Sequence, residues 1–206
     1  MNELILAVDT THEFGSLALL RGADAIAEML LHSPEGFGQI LFERIAQLLE
    51  RQGCTIAEVD CFVATSGPGS FTGVRIGLAC VKGLAEAAGK PVVAVSNLRA
   101  MATFGAAPLR AVVLDARRGE VYAAVYNGQL ELVMPEVVVK LDAWLPTLPA
   151  HNCEMISSVD APRALAAAIG HIAWDDFNAG RSSDPAEIDA NYVRRSDAEL
   201  FWKDKS

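Results

Sequence analysis

The residues best suited to chemistry lie in one run, Thr65-Ser66-Gly67-Pro68-Gly69-Ser70-Phe71-Thr72-Gly73-Val74-Arg75-Ile76-Gly77. Gly67, Gly69 and Gly73 permit positive φ or close backbone approach, Pro68 fixes φ near a turn value, and Ser70 or Thr72 can cap a helix starting there. The free N–H groups and dipole of such a helix start attract anions. A Walker loop has a different spacing, Gly, four residues, Gly, then Lys and Ser or Thr, and this run lacks it. The same glycines serve equally well in a turn that lets a helix lie close on a sheet. Asp9 and Asp115, each ending an apolar stretch, are placed to hold a hydrated magnesium ion, or to bond their own backbone as turn aspartates do. Arg117 and Arg118, beside Glu120, form a turn ion pair or grip an anion.

Other catalytic sets do not assemble from the sequence. His12, His32, His151 and His171 stand apart, none set four residues from another His or Glu in a metalloenzyme pattern, and no G-x-S-x-G elbow occurs. Cys54, Cys61, Cys80 and Cys153 are scattered in or beside apolar segments without CxxC spacing, which reads as reduced core cysteines rather than a zinc site.

These groups need elements to position them. A β-branched run from Val59 to Thr65 feeds the glycine loop as a strand, and an apolar helix pattern over Thr72 to Gly89 leaves it. Leu4 to Asp9, Gly15 to Leu20 and Ala25 to Leu31 read as three strands, followed by a helix over Phe37 to Gln52. The pattern then returns: Arg110 to Asp115 is an apolar strand ending in aspartate, Val121 to Tyr126 follows, and Asn127-Gly128 signals a type I′ hairpin into Leu130 to Val133. A helix is expected over Pro162 to Gly170. Strand, acid-bearing turn, strand, hairpin, strand, then helices, read twice, predict two related α/β lobes, residues 1–105 and 106–206, joined near Phe104 to Pro108.

Composition bounds the partners. The 206 residues are 51% hydrophobic, enough for a sizeable core, and carry a net charge of −9 without a basic cluster. Such a chain holds RNA poorly unaided, because phosphate neutralisation supplies most non-specific affinity. No apolar run reaches membrane-spanning length, and Met1-Asn2-Glu3 leads straight into a strand pattern, so the expectation is a cytoplasmic protein.

The two first-lobe helices carry more apolar surface than one sheet face requires. Leu41, Ile45 and Leu48 make one stripe, with Phe42, Ala46 and Leu49 beside it. Val74, Leu78, Val81 and Ala85 follow one face of the next helix; Ile76, Gly77, Cys80, Gly83 and Ala87 follow another lined with small side chains. Small residues let a second helix approach closely, or both faces are buried within the chain. We take Leu41, Phe42, Ile45, Ala46, Leu49, Ile76, Gly77, Cys80, Gly83 and Ala87 as the expected partner surface.

Leu4-Ile5-Leu6-Ala7-Val8-Asp9-Thr10-Thr11, the GPGSFTG loop continuing to Val74-Arg75-Ile76-Gly77, Asp115-Ala116-Arg117-Arg118-Gly119-Glu120-Val121-Tyr122 and the tail Tyr192-Val193-Arg194 together resemble the TsaB (formerly YeaZ) family. The matches run in the family's order along nearly the whole chain. The resemblance implies an α/β, actin-like ATPase (ribonuclease H-like) fold of two related lobes, the second reduced. It implies a role in making N6-threonylcarbamoyladenosine next to the anticodon of tRNAs reading codons that begin with A. In that family TsaB is a non-catalytic paralogue that pairs with the transferase TsaD, and the ATPase TsaE joins them.

The resemblance carries further expectations. This chain should have no catalytic or metal-binding residues and no cofactor of its own, with ATP and magnesium used by the complex. It should meet tRNA only through that complex, form a homodimer when TsaD is absent, and have no membrane contact. TsaD holds its metal through a histidine pair on the first-lobe helix, whereas here that region reads Glu35-Gly36-Phe37-Gly38-Gln39-Ile40-Leu41, and Gly36 stands where many relatives have histidine. Asp9, Gly69, Ser70, Gly73 and Asp115 are the residues of a vestigial anion or nucleotide site. The alternatives are a small-molecule kinase or ATPase of the same fold, which needs the loop, Asp9 and Asp115 to converge on ATP and magnesium, and a peptidase, for which no Ser–His, Cys–His or zinc set is present.

Overall fold

An unbroken apolar run suits a strand covered on both faces, and β1 (Leu4–Asp9) is buried at every position. In this computed structural model, which describes residues 2–149, 153–160 and 163–193, β1 is the middle of a five-stranded sheet with β2 (Phe14–Arg21), β3 (Asp24–His32), β4 (Val59–Gly67) and β5 (Val92–Ser96). The order is β3-β2-β1-β4-β5, antiparallel through β3, β2 and β1 and parallel from β1 to β5. A second sheet of β6 (Leu109–Asp115), β7 (Val121–Asn127), β8 (Leu132–Val139) and β9 (Cys153–Ile156) has the order β8-β7-β6-β9, the same pattern without its fifth strand.

Helices fill the faces by exchange. Helices α1 (Leu41–Arg51) and α2 (Phe71–Ala88) cover one face of the first sheet, packing on Leu6, Val8, Leu17, Leu19 and Phe62. Its other face, Ile5, Ala7, Ala18, Leu20 and Val63, is covered by α5 (Ala166–Asn178), which comes after the second sheet in sequence. Conversely α3 (Asn97–Ala102), which comes after β5, puts Leu98, Met101 and Ala102 against Val112, Leu114 and Ala124 of the second sheet. The short α4 (Leu141–Trp144) closes that sheet's far face with Trp144. Strands thus divide between the two expected lobes, but α3 and α5 each pack across the division.

Local differences from the sequence reading have physical causes. The expected helix over 37–52 is a 3-10 turn, Phe37–Gln39, entered from Gly36 at φ 93°, followed by α1. The Asn127-Gly128 hairpin forms but is not type I′: the Asn127 side chain accepts hydrogen bonds from the N–H groups of Gln129 and Glu131, and Leu130 takes the left-handed position at φ 61°. Strand β8 runs beyond the expected Val133 to Val139, and the expected helix over 162–170 is α5, starting at Ala166; Pro162 lies outside the described residues. Strands β5 and β9 and helix α3 are not marked by the sequence reading. They are short, and tertiary packing rather than periodicity defines them.

Candidate functional site

The glycine loop closes on its own chain. Ser70 is the N-cap of α2, its hydroxyl accepting from the N–H of Gly73 at 3.2 Å. The Ser70 N–H donates to the Thr11 carbonyl at 2.8 Å, and the Thr10 hydroxyl donates to the Gly73 carbonyl at 2.7 Å. A Cβ at Gly73 would stand 2.0 Å from the Thr10 carbonyl oxygen, and one at Gly69 2.8 Å from that of Thr11. Gly77, one turn further, lies against the Thr10 side chain, where a Cβ would meet Oγ1 at 2.6 Å. The glycines are therefore required by the β1–β2 turn, which occupies the space they leave.

Asp9 and Asp115 end equivalent strands in different surroundings. Asp9 is fully buried; its Oδ1 accepts from the Thr11 N–H at 3.0 Å, the Thr11 hydroxyl at 2.6 Å and the Thr65 hydroxyl at 2.9 Å. Its Oδ2 is buried with no hydrogen-bond partner among the described residues. Asp115 is exposed and accepts from the N–H of Arg117 at 2.8 Å. A cleft of about 670 Å³ lies between the lobes, lined by Thr11, His12, Ser70, Asp115, Arg117 and Tyr122 among others. Asp9 sits behind Thr11, outside that lining. The turn opposite the loop is tightly wound, with Arg117, Arg118 and Gly119 all at positive φ, 63°, 59° and 75°. His12, Glu13 and His32 meet around a neighbouring depression, with His32 Nε2 3.9 Å from Glu13. Among the described residues no three His, Cys, Asp or Glu side chains are grouped to hold a metal ion. His151 and Arg194 lie outside the described residues.

Position 36 also has a backbone explanation. Gly36 is at φ 93°, a conformation that L side chains rarely adopt, although a Cβ there would meet open space. A histidine would be strained by the main chain rather than by neighbours.

Three polar residues that the sequence reading passed over hold this region together. Asn97, fully buried, donates to the Thr11 hydroxyl at 2.5 Å and accepts from the N–H of Gly67 at 3.2 Å, joining β5's end to both the turn and the loop. Glu136 accepts from Tyr126 at 2.5 Å, from Asn191 at 2.5 Å and from the Ser96 hydroxyl, joining the second sheet to the first lobe and to the chain beyond α5. Pro135 and Glu136 stand opposite Ala124 alone, a bulge that re-aims the side chain; the proline inside a strand pattern was the available signal. Burial, then the Glu136 charge and hydrogen bond, push the Tyr126 phenol well above its ordinary range. Asp176 of α5 pairs with Arg99 of α3 at 2.7 Å and with Arg181 at 2.8 Å. Burial alone would raise its pKa, but the hydrogen bonds and charges of both arginines outweigh that and hold it below the ordinary value.

The expected partner surface is narrower than the sequence indicated. Leu41, Ile45 and Leu49 are buried in the chain's own core, as is Cys80, whose thiol burial pushes up to about 12. Gly77 is spent on Thr10. These five are corrected from partner contacts to core, because α1 buries its first stripe and Leu49 of the second against the sheet, and α2 turns Cys80 and Gly77 inward. Phe42, at 59% exposure, and Ala46, Gly83 and Ala87 reach solvent to differing degrees, and Ile76 is half-buried. Cys54 and Cys61 are buried free thiols, and Cys153 is half-buried. No helix among the described residues is long and apolar enough to cross a membrane.

Comparison with known proteins gives this geometry a context. The family model described as TsaD, tRNA N6-adenosine threonylcarbamoyltransferase, matches residues 35–171. The chain is 36% identical over 163 residues to the tRNA threonylcarbamoyladenosine biosynthesis protein TsaB of Bacillus subtilis, a match covering 77% of this chain and 68% of that protein. It is 38% identical over 128 residues to the Escherichia coli protein of the same name, covering 60% of this chain and 54% of the relative, so that match spans about half the relative's length. The solved structure of YeaZ from Pseudomonas aeruginosa superposes with a TM-score of 0.77 at 27% identity, covering 92% of this chain and 99% of that one. The fold is the actin-like, ribonuclease H-like arrangement of two related lobes, the second one short of a strand.

Proposed function

The chain belongs to the TsaB (YeaZ) family, and on that footing we propose that it is a non-catalytic assembly subunit in forming threonylcarbamoyladenosine in tRNA. It pairs with a TsaD transferase, brings TsaE to the pair, and meets tRNA only through the complex, in the cytoplasm. It needs no cofactor of its own; ATP and magnesium are used by the assembled complex.

The observation that carries this reading is the loop at Gly69 and Gly73, filled by the chain's own Thr10–Thr11 backbone. A kinase of this fold would need that space, and Asp9 beside it, for phosphate and magnesium. A peptidase would need a nucleophile beside a base, and among the described residues the neighbours of His12 and His32 are Asn97 and Glu13. What the chain does present is Phe42 and Ala46 exposed on α1, and Ala79, Gly83 and Ala87 exposed at four-residue spacing on α2, small residues that let a partner helix approach closely. The same exposed residues serve self-association when TsaD is absent.

The test is calorimetry of the purified chain against the TsaD homologue of the same organism. Wild type is expected to bind, and Gly83→Glu, which adds a charge at an exposed position, is expected to abolish binding with an unchanged circular dichroism spectrum. A folded Gly83→Glu, Phe42→Glu variant that binds as tightly as wild type would move the interface elsewhere. Saturable ATP turnover by the chain alone, at about 1 per second or more, would favour the kinase reading instead. Deleting the gene should remove threonylcarbamoyladenosine from tRNA, as read by nucleoside mass spectrometry.

A further inference from the structure

Phe71, Arg75, Ala79, Gly83 and Ala87 form one row at four-residue spacing along α2, and no member of it is buried. Its far end is small; its near end is not. The Arg75 guanidinium lies over the Phe71 ring, 3.7 Å from the centroid, and its Nε donates to the Tyr192 hydroxyl at 2.9 Å. The Tyr192 ring stands 5.8 Å from that of Phe71, and the two residues keep 43% and 49% of their surface in water.

Tyr192 is itself held from behind. The Asn191 N–H donates to the Ser66 carbonyl at 2.7 Å, the Asn191 amide donates to Glu136 at 2.5 Å, and Ile188 is buried in the first-lobe core. The chain beyond α5 is thus anchored on both sides of the glycine loop, and it delivers a phenol to Arg75. The terminal nitrogens of Arg75 have no partner among the described residues.

An arginine fixed by its Nε and one face has already lost most of its side-chain freedom. What it presents is a planar fork of N–H groups, matched in shape to a carboxylate. Arginine, tyrosine and phenylalanine exposed together are also the composition of an interface hot spot. The charge is complementary to an acidic group, on a chain whose net charge is −9. We propose that Arg75, clasped by Phe71 and Tyr192, is a pre-formed anchor for an aspartate or glutamate carboxylate of the protein that pairs with α2. The segment Ile188 to Tyr192 is what pre-forms it. This rests on the pairing reading above and names the chemistry the partner must bring. A phosphate backbone would suit the fork less well in this setting, since it needs several cations along its path, and along α2 only Lys82 joins Arg75 on that side, with Glu86 beside it.

The experiment is calorimetry with the same TsaD homologue at low and moderate salt. Arg75→Gln is expected to weaken binding about 30-fold, the scale of a hot-spot residue. Arg75→Lys should do nearly as much harm, because an ammonium neither stacks nor forks. Tyr192→Phe, which keeps the ring and removes the hydroxyl, should weaken binding about 5-fold through lost pre-organisation. Arg75→Glu should be rescued by an Asp→Arg or Glu→Arg change on the partner. Failure of wild type to bind would overturn the pairing reading and this one with it. Binding broken by Gly83→Glu but untouched by Arg75→Gln would overturn the anchor alone. Near wild-type binding by Arg75→Lys would also overturn it, leaving only a general charge effect. If Arg75→Gln spares the protein contact but weakens tRNA retention by the free chain on a filter, the group is a phosphate contact and the proposal is wrong.

Discussion

Asp9 and Asp115 occupy the same place in two copies of one pattern and live in opposite surroundings. Each ends an interior strand of its sheet, before a turn into an antiparallel partner. Asp9 has no exposed surface and serves three donors from Thr11 and Thr65. Asp115 is in solvent and serves the backbone of its own turn. The difference lies in the helix that comes after the fourth strand of each pattern. In the first lobe, β4 leads through the glycine loop into α2, which returns over the β1–β2 turn and seals it. In the second, the helix after β9 is α5, which crosses to the first sheet and leaves Asp115 uncovered. An aspartate at a strand end thus acquires its role from the helix that returns over it, not from its motif.

The largest expected effect that tests this contrast is at the seal. Gly73→Val places a side chain where the Thr10 carbonyl stands 2.0 Å away, and is expected to cost about 4 kcal/mol or more, as overpacking against fixed backbone does. In the second copy, Gly119→Ala in the β6–β7 turn beside Asp115 meets open space at φ 75° and should cost about 1 kcal/mol. Denaturant melts of the two variants measure the gap, and equal losses would mean that the loop is not packed as described.

The aspartates themselves give the next largest difference. Asp9→Ala strands two buried hydroxyls and an N–H, for an expected loss of about 3 kcal/mol. Asp115→Ala should remain within about 0.5 kcal/mol of wild type. A comparable loss at both positions in the same denaturant melts would erase the contrast.

A third expectation concerns the helix exchange that leaves Asp115 bare. The Arg99–Asp176–Arg181 cluster ties α3 to α5, and the folded-state pKa of Asp176 is lowered. A lowered carboxylate contributes stability that is present above its unfolded value of about 3.9 and is lost as pH falls through the lower folded value. Urea midpoints should therefore fall below about pH 4. Asp176→Asn should remove that part of the pH dependence and cost about 2 kcal/mol at neutral pH. The smallest effect is expected at the bulge: Glu136→Gln keeps the shape but turns one acceptor into a donor facing donors, for about 1 kcal/mol. Proteolysis near Tyr192 should quicken with it, since the Asn191 side chain loses one of the two anchors that hold that residue.

Much of this arrangement is legible from residue order. Leu4 to Asp9 and Val59 to Thr65 are continuous apolar runs, and a strand buried on both faces needs nothing else to declare itself. The glycine loop and the start of α2 are legible because Gly67 can take a positive φ that other residues rarely adopt, Pro68 has a fixed φ, and Ser70 is a favoured helix cap. The repeat is legible because two aspartates end two similar strands.

The face that each side chain meets is not legible in the same way. Leu49 and Phe42 belong to one stripe by spacing, yet Leu49 is 4% exposed and Phe42 59%, since the width of contact between α1 and the sheet depends on where the sheet lies. The exchange of α3 and α5 leaves no local trace, because an apolar helix face is equally satisfied by either sheet. Asn97, Glu136 and Tyr192 gain their roles from groups 86, 40 and 117 residues away. Residue order alone is enough for the longer strands, the loop, the repeat and the family, all of which rest on short-range pattern and backbone restriction. It takes the folded chain to fill the loop with Thr10 and Thr11, to seal Asp9 while leaving Asp115 in water, and to hold Arg75 ready, because each of these depends on distant backbone closing to contact distance.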